Sequence, residues 1–362
     1  MERSILERFG LGVPASLAMP AAGIDISRGS VKFTEFSRAH GSLSLRTYGE
    51  TPLQEGVVVD GDVEKPDVVV EVLRSFRLKH HIKYAHASLS EKKAYLYQIL
   101  VPQGTASLKE GVEFDLEAHV PLPPAETVFD FEPVKTTVDG TVVAVSAYAR
   151  RVVESYEKIF KSAGIVLRSL EVESHALARA AVTPDDRSRV VMIVDFGKVG
   201  TRVAVVDHGV VSYTATMDLG GDMLTQALMK RFSIDAPAAE EMKNARGFLL
   251  GKDNADVVEA VMISISIFKD ELSRHLTYWN TPDEDDLPRT PVERIIIAGG
   301  NANMMGFAEY LGDALGIAVV PANVWGNAFS LDRYVPPMHF NESLEYATAI
   351  GLALRSAQQS PW

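Results

Sequence analysis

GIDISRGSVKF, residues 23–33, runs a short apolar strand into an aspartate, crosses a small polar turn and resumes as alternating sequence, with Lys32 seven positions after Asp25. About 170 residues later VDFGKVGT, residues 194–201, brings the order back, a spacing that reads as internal duplication. Val194-Asp195-Phe196-Gly197 echoes Ile24-Asp25-Ile26-Ser27, and TRVAVVDHG echoes SVKFTEFSRAHG as the second strand of a hairpin. Either aspartate alone reads as a turn residue capping its own backbone. Two matched hairpins in one chain make a stronger pattern, a pair of turns that can face each other.

The rest of the chain sets bounds on that pattern. At 362 residues it exceeds one comfortable core, so we expect two domains or one divided α/β unit. Hydrophobic residues at 46% and charged residues at 23% are ordinary for a globular protein. A net charge of -12 gives no attraction to a phosphate backbone, which argues against nucleic acid as a partner. The lack of cysteine excludes disulfides, thiolate zinc sites and cysteine nucleophiles. No run approaches the roughly 18 apolar residues of a membrane span. The uncharged stretch FGLGVPASLAMPAAGI, residues 9–24, holds two prolines and follows balanced charges, so we expect a frayed terminus and no cleaved leader.

Hydrophobic spacing divides the chain further. SVKFTEFSR and SLSLRTYGE alternate as strands joined at His40-Gly41, and KPDVVVEVLRSFRLKH has a helical apolar stripe behind Pro66. LKEGVEFDLEAHVPLPPAETVFDFEPV is a polar helix stopped by Pro121, Pro123 and Pro124 and followed by an aromatic strand, which reads as a small insertion. Residues 222–280 have helical spacing. VERIIIAGGNANMMGFAEYLGDALGI is a buried strand, a glycine turn and a helix, an order found at nucleotide crevices.

Those places can carry phosphate chemistry. Turn amides donate to phosphate oxygens, and paired aspartates can hold a hydrated magnesium ion; Asp25 and Asp195 would be that pair. Ser30 and Thr201 offer hydroxyls at the mouths of the turns, and Lys32 adds a point charge. The third turn, Gly299-Gly300-Asn301, opens a helix whose amino end favours anions, although Gly-Gly after a strand is also common packing geometry. Glu240 and Lys243 lie three apart on one helix face, in residue terms an ordinary surface pair.

Taken in order, these motifs resemble the actin-like ATPase superfamily: a first phosphate motif at GIDISRGSVK, a second at VDFGKVGT and an adenosine motif at IIIAGGNANMMG. Within it the chain looks most like the PilM family of type IV pilus assembly proteins, relatives of the division protein FtsA. GIDISRGSVKFTEF, EFDLEAHVPLPPAETVFDF, DLGGDMLTQAL, AAEEMKNARG and PANVW carry the narrower match. The resemblance implies a duplicated, ribonuclease H-like two-domain α/β fold with an FtsA-type inserted subdomain. Domain I would span 1–165, with the insertion at about 88–138 and the C-terminal helix 341–358 packing back on it; domain II would span 166–340, with a helical subdomain at about 222–290.

The implied ligand is ATP with Mg2+. Asp25, Ser27, Ser30 and Lys32 would meet phosphates or metal from one side and Asp195, Gly197 and Thr201 from the other, with magnesium held through water by Asp25 and Asp195. Glu240 and Lys243 would approach the ribose and adenine, opposite Gly299, Gly300 and Asn301. Ser27 replaces the usual first glycine of the first motif, and Lys198 stands where small residues are common. After the strand VVAVSAYA, where brisk hydrolases place a group that orients water, Ser146 is the poor substitute present.

The resemblance further implies a cytoplasmic protein at the inner face of the plasma membrane. It would grip the cytoplasmic N-terminal peptide of a PilN-like membrane protein around Glu117, Val120, Pro121, Leu122 and Pro123, and couple it to the pilus motor ATPases and platform protein. Three other readings stay open. A small-molecule kinase of the superfamily would need a positioned base and an acceptor pocket. An FtsA-like membrane scaffold would carry an amphipathic tail, which we do not expect from LRSAQQSPW, residues 354–362. A scaffold that has lost its nucleotide would keep only the shape.

Overall fold

The computed structural model describes residues 20–39, 42–249, 254–281 and 289–358. The expected frayed segment before residue 20, the His40-Gly41 turn and residues 359–362 of the tail lie outside the described residues.

The first half opens with strands β1 (Ala22–Ile26), β2 (Ser30–Ala39) and β3 (Ser42–Pro52), followed by the two-residue strands β4 (Val58–Val59) and β5 (Asp62–Val63). Helix α1 (Pro66–His80) begins at a proline, which costs nothing where no intrahelical N–H is needed, and buries Val69, Val70, Leu73 and Phe76. Strands β6 (Tyr84–Leu89) and β7 (Ala94–Pro102), helix α2 (Leu108–His119) and strands β8 (Thr127–Thr136) and β9 (Gly140–Ala149) follow. Helix α3 (Arg150–Ala163) ends at left-handed Gly164, and β10 (Val166–Val172) runs directly into α4 (Glu173–Ala181).

The second half repeats the plan. It comprises β11 (Val190–Phe196), β12 (Thr201–Asp207) and β13 (Val210–Met217), then helices α5 (Gly221–Phe232), α6 (Ala236–Arg246) and α7 (Ala255–Asn280). Strand β14 (Arg294–Ala298), helix α8 (Phe307–Leu315) and β15 (Ala318–Pro321) complete the sheet, and α9 (Phe340–Glu345) and α10 (Ala347–Gln358) close the described chain.

Two five-stranded sheets result, ordered β3-β2-β1-β6-β10 and β13-β12-β11-β14-β15. In each, three antiparallel strands continue into two parallel ones, so the aspartate hairpins occupy equivalent places. The central strand β11 is buried along its whole length, as a strand covered on both faces must be, which explains the unbroken apolar run of Val190–Val194. Helix α10 packs against β1 and α4, and this requires small residues. A Cβ on Gly23 would lie 2.1 Å from the Ala349 carbonyl oxygen, and one on Gly351 would lie 1.7 Å from that of Ala176.

Two expected boundaries move. β10 pairs in parallel with β6, so the first sheet runs through Val172 and a division at residue 165 would cut off its edge strand. The insertion is the antiparallel sheet β7-β9-β8, spanning Ala94–Ala149. β9 belongs to it because it pairs with both neighbours, although by sequence it reads like a main-sheet strand leading into α3. One face of this sheet is covered by α2: Val112 packs with Ile99, Val101, Val143 and Val145, while Leu116 and Val120 meet Ala147.

Candidate nucleotide cleft and a second groove

Each hairpin sets its aspartate one residue before the end of its first strand and opposite a cation. Asp25 pairs in register with Lys32, and Asp195 with Arg202. The turns face each other across a cleft of about 460 Å³, a volume suited to a small polar ligand. Asp25, Ser27, Ser30, Lys32, Asp195, Gly197, Glu240, Lys243, Gly299, Gly300 and Asn301 all line it. Thr201 alone of the expected residues does not. Fully buried, it donates its hydroxyl to the Leu219 carbonyl at 2.6 Å and so fastens the second turn to the loop before α5.

The first turn is held by its own side chains. Ser27 closes it with both its N–H and its hydroxyl, each donating to the Ser30 carbonyl at 3.0 Å. Serine is therefore accommodated where a glycine would be usual, but its hydroxyl is spent on the backbone. Lys32 donates to the Ser30 hydroxyl at 3.1 Å and pairs with Glu50 at 2.9 Å, so its ammonium is held at the cleft wall.

The second and third turns are locked together. Asn301 donates its amide to the Phe196 and Gly197 carbonyls at 3.2 and 2.9 Å, and the Gly221 N–H donates to Gly197 at 3.0 Å. Gly299 adopts φ 86° and ψ 164°, a conformation essentially confined to glycine. A Cβ there would lie 2.5 Å from the Phe196 carbonyl oxygen and 2.6 Å from Asp195 Oδ1. The backbone thus forms a cradle whose shape depends on missing side chains.

Along the third side, Lys243 is buried, with its ammonium 2.7 Å from Glu240 Oε2 and 3.3 Å from Thr225 Oγ1, while Thr225 donates to Glu240 Oε1 at 2.7 Å. This is no solvated surface pair. The lysine fixes a half-exposed glutamate at the cleft edge, and burial of that carboxylate is outweighed by its hydrogen bonds from Lys243 and Thr225, which hold its pKa below the ordinary value.

One wall of the cleft is backed by a cluster of buried acids around one guanidinium. Arg202 places Nη1 2.8 Å from Glu173 Oε2 and donates from Nε and Nη2 to Asp195 Oδ2 at 3.1 and 2.5 Å. Asp25 accepts from the Ser88 hydroxyl at 3.0 Å. Burial pushes the carboxyls of Asp25, Glu91 and Glu173 above the carboxylate range, Glu173 to about 8, although Arg202 acts to lower all three. Desolvation acts against the Arg202 charge, but Glu173, Asp195, Asp25 and Glu91 outweigh it and hold its pKa above the ordinary value.

The glycine cradle, hairpin turns and lysines suit a polyphosphate. Where magnesium held through water by Asp25 and Asp195 is expected, a cation already stands: Asp195 Oδ2 accepts two N–H groups from Arg202.

Sequence reading missed Glu173 and Arg202. Arg202 follows Asp195 by the same seven residues that separate Lys32 from Asp25, a signal present in the duplication. Glu173 had no comparable mark, because its place depends on β10 joining the first sheet. Ser146, considered as a water-orienting group, lies outside this cleft.

Ser146 lines a second, less polar groove of about 850 Å³ between the insertion and the first sheet. Val128 and Tyr148 contribute from the insertion, Leu167 from β10, His175 from α4 and Val210 from the second half. Its floor is an ion network in which Glu171 takes two bonds of 2.7 Å from Arg179 and one of 2.7 Å from Arg355. Glu117, Val120, Pro121, Leu122 and Pro123 are not among its walls. Val120 and Leu122 pack with Leu116 and Ala147, on the α2 face of the insertion sheet. Side chains alternate across that sheet, so Ser146 and Ala147 point to opposite faces.

A family model described as type IV pilus assembly protein PilM matches residues 23–357. The cell division protein FtsA of Streptococcus pneumoniae is 22% identical over 340 residues, covering 82% of this chain and 74% of that protein. A solved PilM-PilN type IV pilus biogenesis complex superposes with a TM-score of 0.75 at 25% identity, covering 94% of this chain and 99% of that one. MreB5 of Spiroplasma citri bound to ADP gives 0.56 at 14% identity, covering 96% and 98%.

Proposed function

Because the chain belongs to the PilM family of type IV pilus assembly proteins and has the actin-like fold, we propose that it is the nucleotide-binding component of a pilus-type assembly, carrying ATP in one cleft and a partner peptide in another. The observation that carries the nucleotide half is convergence. Residues from β1, β2, β11, α6 and the turn after β14, far apart in sequence, line one cleft. The MreB5 structure bound to ADP and another bound to AMPPNP share the fold, which supports a nucleotide as ligand. ATP phosphates would sit between the two hairpin turns within reach of Lys32 and Lys198, with Glu240 toward the ribose and the Gly299–Asn301 turn beside the base.

This cleft binds better than it catalyses. Glu173 is already engaged by Arg202 at 2.8 Å, an ion pair that opposes its use as a base. The nucleotide acts instead as a brace across the two halves, favouring one angle between them. That angle reaches the second groove through Val210, which belongs to the second sheet yet forms part of the groove wall.

The partner half rests on the solved PilM-PilN complex, and its site in this chain is the 850 Å³ groove. The occupant is the cytoplasmic N-terminal segment of a PilN-like membrane protein, which would bring this chain to the inner face of the membrane. Among the described residues no helix is long and apolar enough to cross one. Calorimetry of the full chain with ATP and with Asp195→Ala tests the first site; titration of the partner's N-terminal peptide against wild type, Val128→Arg and Leu122→Arg tests the second. The proposal requires ATP binding that Asp195→Ala weakens, and peptide binding lost in Val128→Arg but kept in Leu122→Arg. Loss in Leu122→Arg alone moves the peptide to the α2 face.

A further inference from the structure

The duplicated hairpins carry a cation at the same register position but use it differently. Lys32 is turned to the wall, onto Glu50 and the Ser30 hydroxyl. Arg202 is turned inward, with about a fifth of its side chain exposed, and makes charge-assisted bonds to both Asp195 and Glu173. Its charge also acts on Asp25 and Glu91, so one guanidinium serves four carboxyl groups. Magnesium demands near-ideal octahedral oxygen coordination and gives up water reluctantly. It would have to share Asp195 with a fixed positive charge a few ångströms away.

We propose that Arg202 is the resident cation of this cleft: its guanidinium takes the place of a divalent ion beside Asp195 and Asp25, and the site excludes magnesium and accepts nucleotide without it. The alternative is a structural ion pair that yields when metal arrives. The two differ in what the cleft does with a metal, whether or not nucleotide is present.

The test uses the full-length protein, free of nucleotide, with Mn2+ as a paramagnetic stand-in for magnesium. Wild type should show no saturable Mn2+ site up to about 1 mM, the scale of weak oxygen-ligand sites, whereas Arg202→Gln should gain one at least about tenfold tighter. Arg202→Lys retains the charge and should still exclude the ion. A second arm, which rests on the nucleotide reading above, measures ATP affinity in excess Mg2+ and in EDTA. Wild type should change by less than about threefold between the two buffers, and Arg202→Gln should lose about tenfold in EDTA and recover it with Mg2+. Saturable Mn2+ binding by wild type overturns the proposal, even if Arg202→Gln fails to fold. So does a collapse of wild-type ATP affinity in EDTA. No ATP binding in either buffer, with the metal arm as expected, removes the nucleotide reading and leaves Arg202 as the resident cation of a metal-free cleft.

Discussion

Replacing Gly299 by alanine separates the cradle from an ordinary turn. The φ of 86° with ψ 164° lies where an L-residue costs about 1–3 kcal/mol. The added Cβ also meets the Phe196 carbonyl at 2.5 Å and Asp195 Oδ1 at 2.6 Å. Neither can retreat freely, because Phe196 O is held by Asn301 and Asp195 by Arg202. Overpacking of this kind adds about 1–3 kcal/mol, for a total near 4 kcal/mol against a typical stability of about 5–15 kcal/mol. At about 2–4 °C per kcal/mol for a domain of this size, the melting temperature should fall by about 10 °C. Gly316→Ala is the control, since Gly316 has φ 66° but nothing within 4 Å of the added carbon. It should cost only the left-handed penalty of about 1–2 kcal/mol. Thermal denaturation of both variants, with ATP titration of Gly299→Ala, checks this. If Gly299→Ala melts within about 2 °C of Gly316→Ala and binds ATP like wild type, the cradle argument is wrong.

Gly351→Ala should lower the urea midpoint by the equivalent of about 3 kcal/mol, because the Ala176 carbonyl lies 1.7 Å from the new Cβ and α10 must separate from α4; an unchanged midpoint would contradict that packing. His86 is buried between the Ser169 and Ser356 hydroxyls, and burial lowers its pKa from 6.5 to about 4. The unfolded chain therefore binds a proton there first, and stability should fall as pH drops from 6.5 towards 4; His86→Asn should flatten this part of the stability–pH curve. Glu173 works in the opposite direction. With its pKa raised by burial from 4.5 to about 8, the folded state binds the extra proton, so stability falls as pH rises through that window, and Glu173→Gln should remove part of the slope. A Gln variant with the wild-type slope would mean that Glu173 is ionised throughout.

How far sequence reached depended on whether a feature was local. The paired Asp25 and Asp195 hairpins were legible because strand, aspartate and turn are consecutive and occur twice, and the Gly299 turn because a strand, two glycines and a helix follow in order. The Glu240–Lys243 pair was visible as a spacing, but its burial against Thr225 was not, since that contact joins α6 to α5. Thr201 was legible as a turn hydroxyl and Ser27 as a serine in the place of a glycine, without any indication that each donates to a backbone carbonyl.

By itself, the sequence determined the duplicated α/β plan, the two aspartate turns and the residues able to surround a phosphate, because alternation, turn chemistry and repetition act over a few neighbouring positions. Tertiary structure alone decided that β10 completes the first sheet, that Glu173 thereby enters the cleft, and that Arg202 rather than Lys32 turns inward to meet it. It also decided which face of the insertion sheet borders the groove. Such outcomes depend on charges and surfaces brought together from distant segments, where burial determines the partner of each ion, and no local pattern encodes that choice.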